Sequence, residues 1–209
     1  MNSSRPFLIA VTGGIACGKS AVCKWFENKN IKVYYSDKLA HEVLQENDVI
    51  QKLTDNFGDE ILSNGKIDRK KLGKLVFNNP QKLAKLNRVI HPEVLRKIHE
   101  IILFSDSDYL VFEIPLLFES GLQNAFDLSM NIFSEECNQV ERIEKRDKLS
   151  TNEGLQRIQA QMNSYDKQKL ADINIENNGT IAELNQKLNN LWPLIKKMKK
   201  QDIQNIMKI

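Results

Sequence analysis

Residues 8–21 read LIAVTGGIACGKSA, and this stretch decides the fold. The apolar run Phe7 to Val11 is typical of a buried parallel strand, and apolar side chains recur at helical spacing over residues 22–26. Between them, residues 13–20 have the pattern G-x-x-x-x-G-K-S. A strand before this pattern and a helix after it are the context of a phosphate-binding P-loop. A glycine turn that merely joins strand to helix would not need the Lys-Ser pair.

The chemistry of this loop follows from its residue types. Glycines let successive backbone N–H groups turn inward around a phosphate, and the helix that begins near Lys19 adds its positive dipole end. We expect Lys19 to reach the β- and γ-phosphates of a nucleotide and the Ser20 hydroxyl to bind Mg²⁺. The predicted nucleotide-binding residues are Gly13, Gly14, Ile15, Ala16, Cys17, Gly18, Lys19, Ser20 and Ala21.

Length and composition are those of a soluble globular protein. The chain has 209 residues, of which 41% are hydrophobic and 27% charged. No apolar run is as long as a membrane span, and the N-terminus has no signal-peptide pattern. The sequence therefore predicts a cytoplasmic protein without a membrane partner, and the lack of a heptad pattern favours a monomer.

The net charge of +3 comes from the end of the chain. Residues 196–209 carry five lysines against Asp202, and the rest of the chain is close to neutral. A solvated helix end explains this tail better than a nucleic-acid patch does, so we expect no nucleic-acid partner.

The three cysteines lack metal-ligand spacing and are odd in number, which favours reduced thiols. Cys17 lies inside the phosphate loop beside a helix N-terminus, a setting that can favour the thiolate. One hypothesis is that alkylating Cys17 blocks nucleotide binding. The other is that Cys17 is simply a small residue that fills a loop position.

Five short apolar runs, at residues 7–11, 31–35, 109–114, 128–133 and 171–175, alternate with helical segments. This alternation predicts an α/β fold with a mostly parallel sheet and helices on both faces. Ligands of such sheets collect outside the carboxyl ends of the strands, where Asp37 follows the second run. Asp37 could accept a proton from an attacking hydroxyl group, or it could be the N-cap of the next helix.

Residues 47–104 are mainly helical in pattern and longer than a crossover between strands requires. They are interpreted as an inserted substrate-binding subdomain. Gly58 suits the end of a helix, and Asn64-Gly65 is a turn signal. Asp68 predicts the cap of a helix through Phe77, Asn79-Pro80 predicts the start of another, and His91-Pro92 predicts a separate helix over residues 93–104.

The third run brings Glu113 and the segment Pro115 to Glu119 to the carboxyl edge of the sheet. Glu113 could hold Mg²⁺ through a water molecule. Phe118 could pack in the core or contact a ligand.

After the fourth run, the pattern predicts a helix from Ser134 to Arg146 and a second helix that starts with a Ser150 capping box. Clustered arginines on these helices favour a lid that closes over polyphosphate, although a solvated charged face would also explain them. After the fifth run, the Thr180 capping box predicts a last helix that reaches about Lys200.

In this order the motifs resemble the dephospho-CoA kinase family over residues 8 to about 190. The resemblance rests on TGGI at residues 12–15, Ser36-Asp37, residues 65–77, Ile90-His91-Pro92, PLLFESGL at 115–122, residues 142–147, residues 157–162, and Ala171-Asp172 through Asn177 and Gly179.

The resemblance implies a P-loop kinase with a five-stranded parallel sheet flanked by helices, a helical substrate-binding insertion and a lid. It implies a core of residues 6–46, 107–135 and 168–200, an insertion of 47–104 and a lid of 136–167. The implied reaction moves the γ-phosphoryl group of ATP to the ribose 3′-hydroxyl of dephospho-CoA with Mg²⁺, the last step of coenzyme A synthesis. By this resemblance the catalytic residues are Lys19, the general base Asp37, and the lid arginines Arg142 and Arg146. The residues implied to contact the acceptor are Asp37, His91, Pro115, Leu116, Phe118 and Glu119. The resemblance also implies that Asn177 lies beside the adenine.

The sequence departs from the family pattern at three places. It has Tyr35-Ser36-Asp37 where the family usually has Asp-Ala-Asp, Ala16-Cys17 where it has Gly-Ser, and Glu113-Ile114-Pro115 where it has Asp-x-Pro. These differences affect the metal shell and the fit of the loop around phosphate. Two alternatives remain at this point: another small-metabolite kinase of the same architecture, and a nucleotide-binding regulatory protein that uses its basic tail.

Overall fold

The computed structural model describes residues 5–76 and 79–201, which form two compact units. The first unit contains the described residues up to Tyr35 and those from Ser105 onward; the second contains the described residues from Ser36 to Phe104. The predicted insertion, residues 47–104, lies within the second unit.

The described residues form seven strands and nine α-helices. The strands are β1 (Phe7–Gly13), β2 (Lys32–Tyr35), β3 (Leu62–Ser63), β4 (Lys66–Ile67), β5 (Tyr109–Glu113), β6 (Leu128–Phe133) and β7 (Ile173–Glu176). The helices are α1 (Lys19–Glu27), α2 (Ser36–Val43), α3 (Asn47–Phe57), α4 (Arg69–Val76), α5 (Pro80–Leu103), α6 (Glu136–Asp147), α7 (Thr151–Gln159), α8 (Ser164–Leu170) and α9 (Ile181–Ile195).

The first unit is built on a parallel five-stranded sheet with the order β2-β5-β1-β6-β7, which confirms the predicted architecture. All seven residues of β1 are buried, as expected for a central parallel strand that is covered on both faces. In the ladder, Val11 lies opposite Glu113 and Gly13 lies opposite Ile132. The carboxyl ends of β1, β5, β6 and β7 therefore lie along one edge of the sheet.

Helices α1 and α9 pack together beside the sheet through aromatic side chains. The rings of Trp25 and Phe26 meet that of Trp192 edge to face, with ring centres 6.1 and 5.8 Å apart. Burying each such ring contributes roughly 1.5–3 kcal/mol to folding. This packing fixes the direction of α1, whose N-terminus follows the phosphate loop.

The second unit confirms several local predictions. Asn64 and Gly65, with φ values of 52° and 73°, form the turn of the β3–β4 hairpin, a small sheet that the helical pattern did not predict. Asp68 accepts hydrogen bonds from the N–H groups of Lys70 and Lys71 at the start of α4. Asn79 caps α5. The predicted extension of the α4 segment to Phe77 lies outside the described residues.

The predicted helix break at His91-Pro92 is wrong, because α5 runs without interruption from Pro80 to Leu103. Proline removes one intrahelical hydrogen bond. However, α2, α3 and α4 all pack against α5. We attribute the continuity of the helix to this packing, which outweighs the local cost.

Two predicted helix ends are also wrong. Helix α6 begins at Glu136 rather than Ser134, because the Ser134 hydroxyl donates instead to the Asn177 carbonyl and to Asn178. Helix α9 ends at Ile195 rather than near Lys200. The predicted capping boxes at the starts of α7 and α9 are confirmed.

The basic tail is described only up to residue 201, so Asp202 and Lys208 lie outside the described residues. Within that part, Lys200 donates to the carbonyl of Arg5, and the N–H of Gln201 donates to Asp127. Across the described residues, no helix combines the length and apolar character needed to cross a membrane.

Candidate functional site

The predicted phosphate loop connects β1 to α1 and requires glycine at both ends. Gly13 and Gly18 have φ values of 142° and 100°. A Cβ atom on Gly13 would lie 2.1 Å from the carbonyl oxygen of Ile132, and one on Gly18 would lie 2.1 Å from Nδ2 of Asn177. The loop therefore touches β6 and the segment after β7 without room for a side chain.

Three side chains, two from α6 and one from the segment after β7, hold carbonyl groups of the loop. Gln139 Nε2 donates to the Ile15 carbonyl at 2.8 Å, Arg142 Nη1 donates to the Ala16 carbonyl at 3.2 Å, and Asn177 Nδ2 donates to the Cys17 carbonyl at 2.8 Å. In a trans peptide the following N–H points away from the carbonyl. The bonds to the Ile15 and Cys17 carbonyls thus direct the N–H groups of Ala16 and Gly18 to the opposite side, where a phosphate would be bound, while the N–H of Cys17 donates to the Gly14 carbonyl at 3.4 Å.

Ala16 adopts the left-handed conformation, with φ of 58°. This conformation costs a non-glycine residue roughly 1–2 kcal/mol. The bonds that Arg142 and Gln139 make to the flanking backbone oppose this cost. The structure therefore accommodates alanine at a position where the family pattern usually has glycine.

The Lys19 ammonium group lies against the loop, where it donates to the carbonyls of Gly13 and Gly14 at 3.0 Å each. Burial lowers the pKa of Lys19, whereas the nearby carboxylate of Glu113 acts in the opposite direction. The loop thus has a cation beside it in an environment with little water.

Ser20 and Glu113, the predicted magnesium ligands, both belong to the first unit. Ser20 is exposed in the first turn of α1, and Glu113 is the last residue of β5, close enough to influence the charge of Lys19. A hydroxyl and a carboxylate oxygen are hard donors of the kind that Mg²⁺ prefers. The donor set fits this ion.

The Pro115–Glu119 segment, called the acceptor loop below, follows β5 at the carboxyl edge of the sheet. The Thr12 hydroxyl donates to the Pro115 carbonyl at 3.3 Å. Leu116 is 47% exposed, whereas Phe118 is only 7% exposed, so core packing is confirmed as the explanation for Phe118. Lys167, which sequence reasoning missed, donates to the carbonyl of Pro115 at 2.9 Å.

The predicted lid arginines lie in different environments. Besides its bond to the loop, Arg142 donates to the carbonyl of Asn177 at 2.7 Å. Arg146, 60% exposed, makes two hydrogen bonds to Asp147, which also accepts from Arg157. The structure thus brings Arg142 to the phosphate loop together with Asn177, while Arg146 lies at the surface.

The hypothesis of a reactive Cys17 thiolate is wrong. Its side chain is 1% exposed, and burial raises the pKa of the thiol. Gln139 Nε2 lies 2.9 Å from the sulfur. Cys17 is therefore a small buried residue that the loop packs around.

In the second unit, Asp37 is exposed in the first turn of α2. The helix already begins at Ser36, and the Asp37 carboxylate makes no hydrogen bond or ion pair to any residue that the structure describes. The N-cap alternative for Asp37 is therefore wrong. His91, within α5, is exposed at the surface, and partial desolvation lowers its pKa.

Comparison with known proteins gives consistent results. A family model described as dephospho-CoA kinase matches residues 7–183. A relative from Fusobacterium nucleatum subsp. nucleatum, named dephospho-CoA kinase, is 39% identical over 182 residues, which cover 87% of this chain and 94% of the relative. A crystal structure of a Thermus thermophilus protein has 31% identity and a TM-score of 0.81, covering 94% of this chain and all of the other. A solved dephospho-CoA kinase from Campylobacter jejuni has 30% identity and a TM-score of 0.62, covering 90% and 96%.

Proposed function

Because the chain belongs to the dephospho-CoA kinase family, we propose that it transfers the γ-phosphoryl group of ATP to the ribose 3′-hydroxyl of dephospho-CoA, which gives coenzyme A. The observation that carries this proposal is the built phosphate loop, whose consecutive carbonyls are held by Gln139, Arg142 and Asn177. The reaction is the last step of coenzyme A synthesis.

The phosphate loop binds the nucleotide. Backbone N–H groups within residues 13–21, such as those of Ala16 and Gly18, and the Lys19 ammonium stabilise the negative charge of the phosphates as the γ-phosphoryl group moves. Asn177, which is buried and bonded to Cys17, lies beside the adenine. Arg142 fixes the loop, and Arg146 joins it over the polyphosphate when the lid, residues 136–167, closes.

Ser20, and Glu113 through a water molecule, would hold Mg²⁺. When bound, the ion screens phosphate charge and orients the β- and γ-phosphates. The carboxylate of Glu113 is longer by one methylene than the aspartate usual in the family.

Asp37 acts as the general base toward the acceptor hydroxyl. Its carboxylate is exposed and makes no hydrogen bond within the described part of the chain, so it is available to accept a proton. The acceptor is bound by His91, Pro115, Leu116 and Glu119, while the buried Phe118 supports this segment from the core. We propose that the protein acts as a cytoplasmic monomer that binds no nucleic acid.

The test measures ATP turnover with dephospho-CoA and with a panel of other hydroxyl acceptors. Asp37→Asn should lower the rate with dephospho-CoA by roughly 10²- to 10⁴-fold while nucleotide affinity is retained. Asp48→Asn is the matched control, because Asp48 is also an exposed aspartate in the first turn of a helix in the same unit.

Two results would count against this proposal. Near-normal turnover by Asp37→Asn would show that another group takes the proton. Turnover with a different acceptor, and none with dephospho-CoA, would show that the protein phosphorylates a substrate other than dephospho-CoA.

A further inference from the structure

Lys167, in α8, is 1% exposed, which is rare for lysine. Its Nζ atom lies 2.9 Å from a carboxylate oxygen of Glu119 and 2.9 Å from the carbonyl oxygen of Pro115. A buried charge is unfavourable unless it is paired and hydrogen-bonded. The contacts of this ammonium group therefore connect it to both ends of the acceptor loop.

The segment between α7 and α8, residues 160–163, contacts two loops at once. The N–H of Met162 donates to Glu119 at 3.1 Å, and the side-chain oxygen of the adjacent Gln161 accepts from the N–H of Ile15 at 2.8 Å. The acceptor loop and the phosphate loop are thus connected through one short junction. The positive charge of Lys167 also lowers the pKa of Lys19, which places the two ammonium groups within electrostatic reach.

We propose that Lys167 is a positioning residue that fixes the acceptor loop through Glu119. Through the junction at residues 160–163, whose Gln161 contacts Ile15, it also links the order of the acceptor loop to nucleotide binding. The name acceptor loop rests on the proposed function. A phosphate bound at residues 13–18 restricts the motion of Ile15, so Gln161 and the junction beside it become more ordered. Nucleotide and acceptor then each favour the binding of the other.

Hydrogen exchange over residues 115–122 tests this link without any acceptor. In the wild-type chain, a saturating non-hydrolysable ATP analogue should slow exchange in this segment. Lys167→Met should abolish that effect. The matched control is Lys169→Met in the same helix, because Lys169 lies over the exposed ring of Tyr165 and should leave the effect unchanged.

A second variant separates positioning from folding, because Lys167→Met is also expected to lower Tm. The Glu119 side chain is 23% exposed, so Glu119→Gln perturbs the fold less and should abolish the same nucleotide-dependent protection. In steady-state kinetics at saturating ATP, Lys167→Met should raise KM for dephospho-CoA about 10-fold, within the usual range of coupling between sites, whereas the affinity for ATP measured without the acceptor should change little. Lys167→Arg should restore much of the loss.

The proposal is overturned if the analogue does not protect residues 115–122 in the wild type, or protects them equally in Lys167→Met and Glu119→Gln. This outcome is distinct from failure of the proposed function. If the wild type forms no coenzyme A but protection depends on Lys167, the acceptor is wrong and the link between the loops stands.

Discussion

Replacing Gly13 by alanine tests the close packing on which the phosphate loop depends. The added Cβ would lie 2.1 Å from the carbonyl oxygen of Ile132, a backbone atom held in the sheet opposite Gly13. The residue would also keep a φ near 142°. Backbone strain of roughly 1–3 kcal/mol and steric overlap of roughly 1–3 kcal/mol give a loss of about 2–6 kcal/mol.

For a chain of this size, such a loss lowers Tm by about 4–24 °C, because 1 kcal/mol corresponds to roughly 2–4 °C. Circular dichroism gives Tm, and isothermal titration with ADP gives nucleotide affinity, which should also fall. Gly154→Ala in α7 is the control, since its Cβ would lie at an ordinary 3.6 Å from Ile143 and should stabilise the helix by about 0.5–1 kcal/mol. A Gly13→Ala chain with unchanged Tm and ADP affinity would refute this reasoning.

Three further predictions follow from burial and hydrogen bonding. In the native chain only the exposed Cys137 should react with a thiol reagent at pH 8, whereas all three cysteines should react in denaturant; rapid labelling of two or three thiols in the native state would contradict this. Gln139→Leu leaves the Ile15 carbonyl without this donor, so ADP should bind about 5- to 100-fold more weakly by titration, and unchanged affinity would show that the bond does not shape the loop. Partial desolvation lowers the pKa of the exposed His91, so below about pH 6.5 the unfolded chain binds this proton more readily and stability falls slightly. Tm should therefore decrease less for His91→Gln than for the wild type between pH 7.5 and 5.5, and equal decreases would contradict this.

Local signals predicted most of the fold. The five strands of the sheet were found because apolar runs recur between turn residues, and the capping boxes at Ser150 and Thr180 were found because each needs only residues three apart. The phosphate loop was equally local, since its glycines and Lys19 are adjacent in the sequence.

Features that depend on distant partners were missed. Gln139 contacts Ile15 across 124 residues, and Lys167 contacts Pro115 across 52 residues. The available signal was weak: a polar side chain on the buried face of a helix, with no partner nearby in the sequence. The continuity of α5 through Pro92 was missed for a related reason, because it depends on the helices that pack against α5.

The most direct test of the account is the identity of the product formed from ATP and dephospho-CoA. The purified chain is incubated with both compounds, and the product is analysed by mass spectrometry and ³¹P NMR. The account predicts coenzyme A with a new phosphate monoester on the ribose 3′-oxygen and one ADP released per product. ATP binding without this product, or a phosphate on another oxygen, would contradict it.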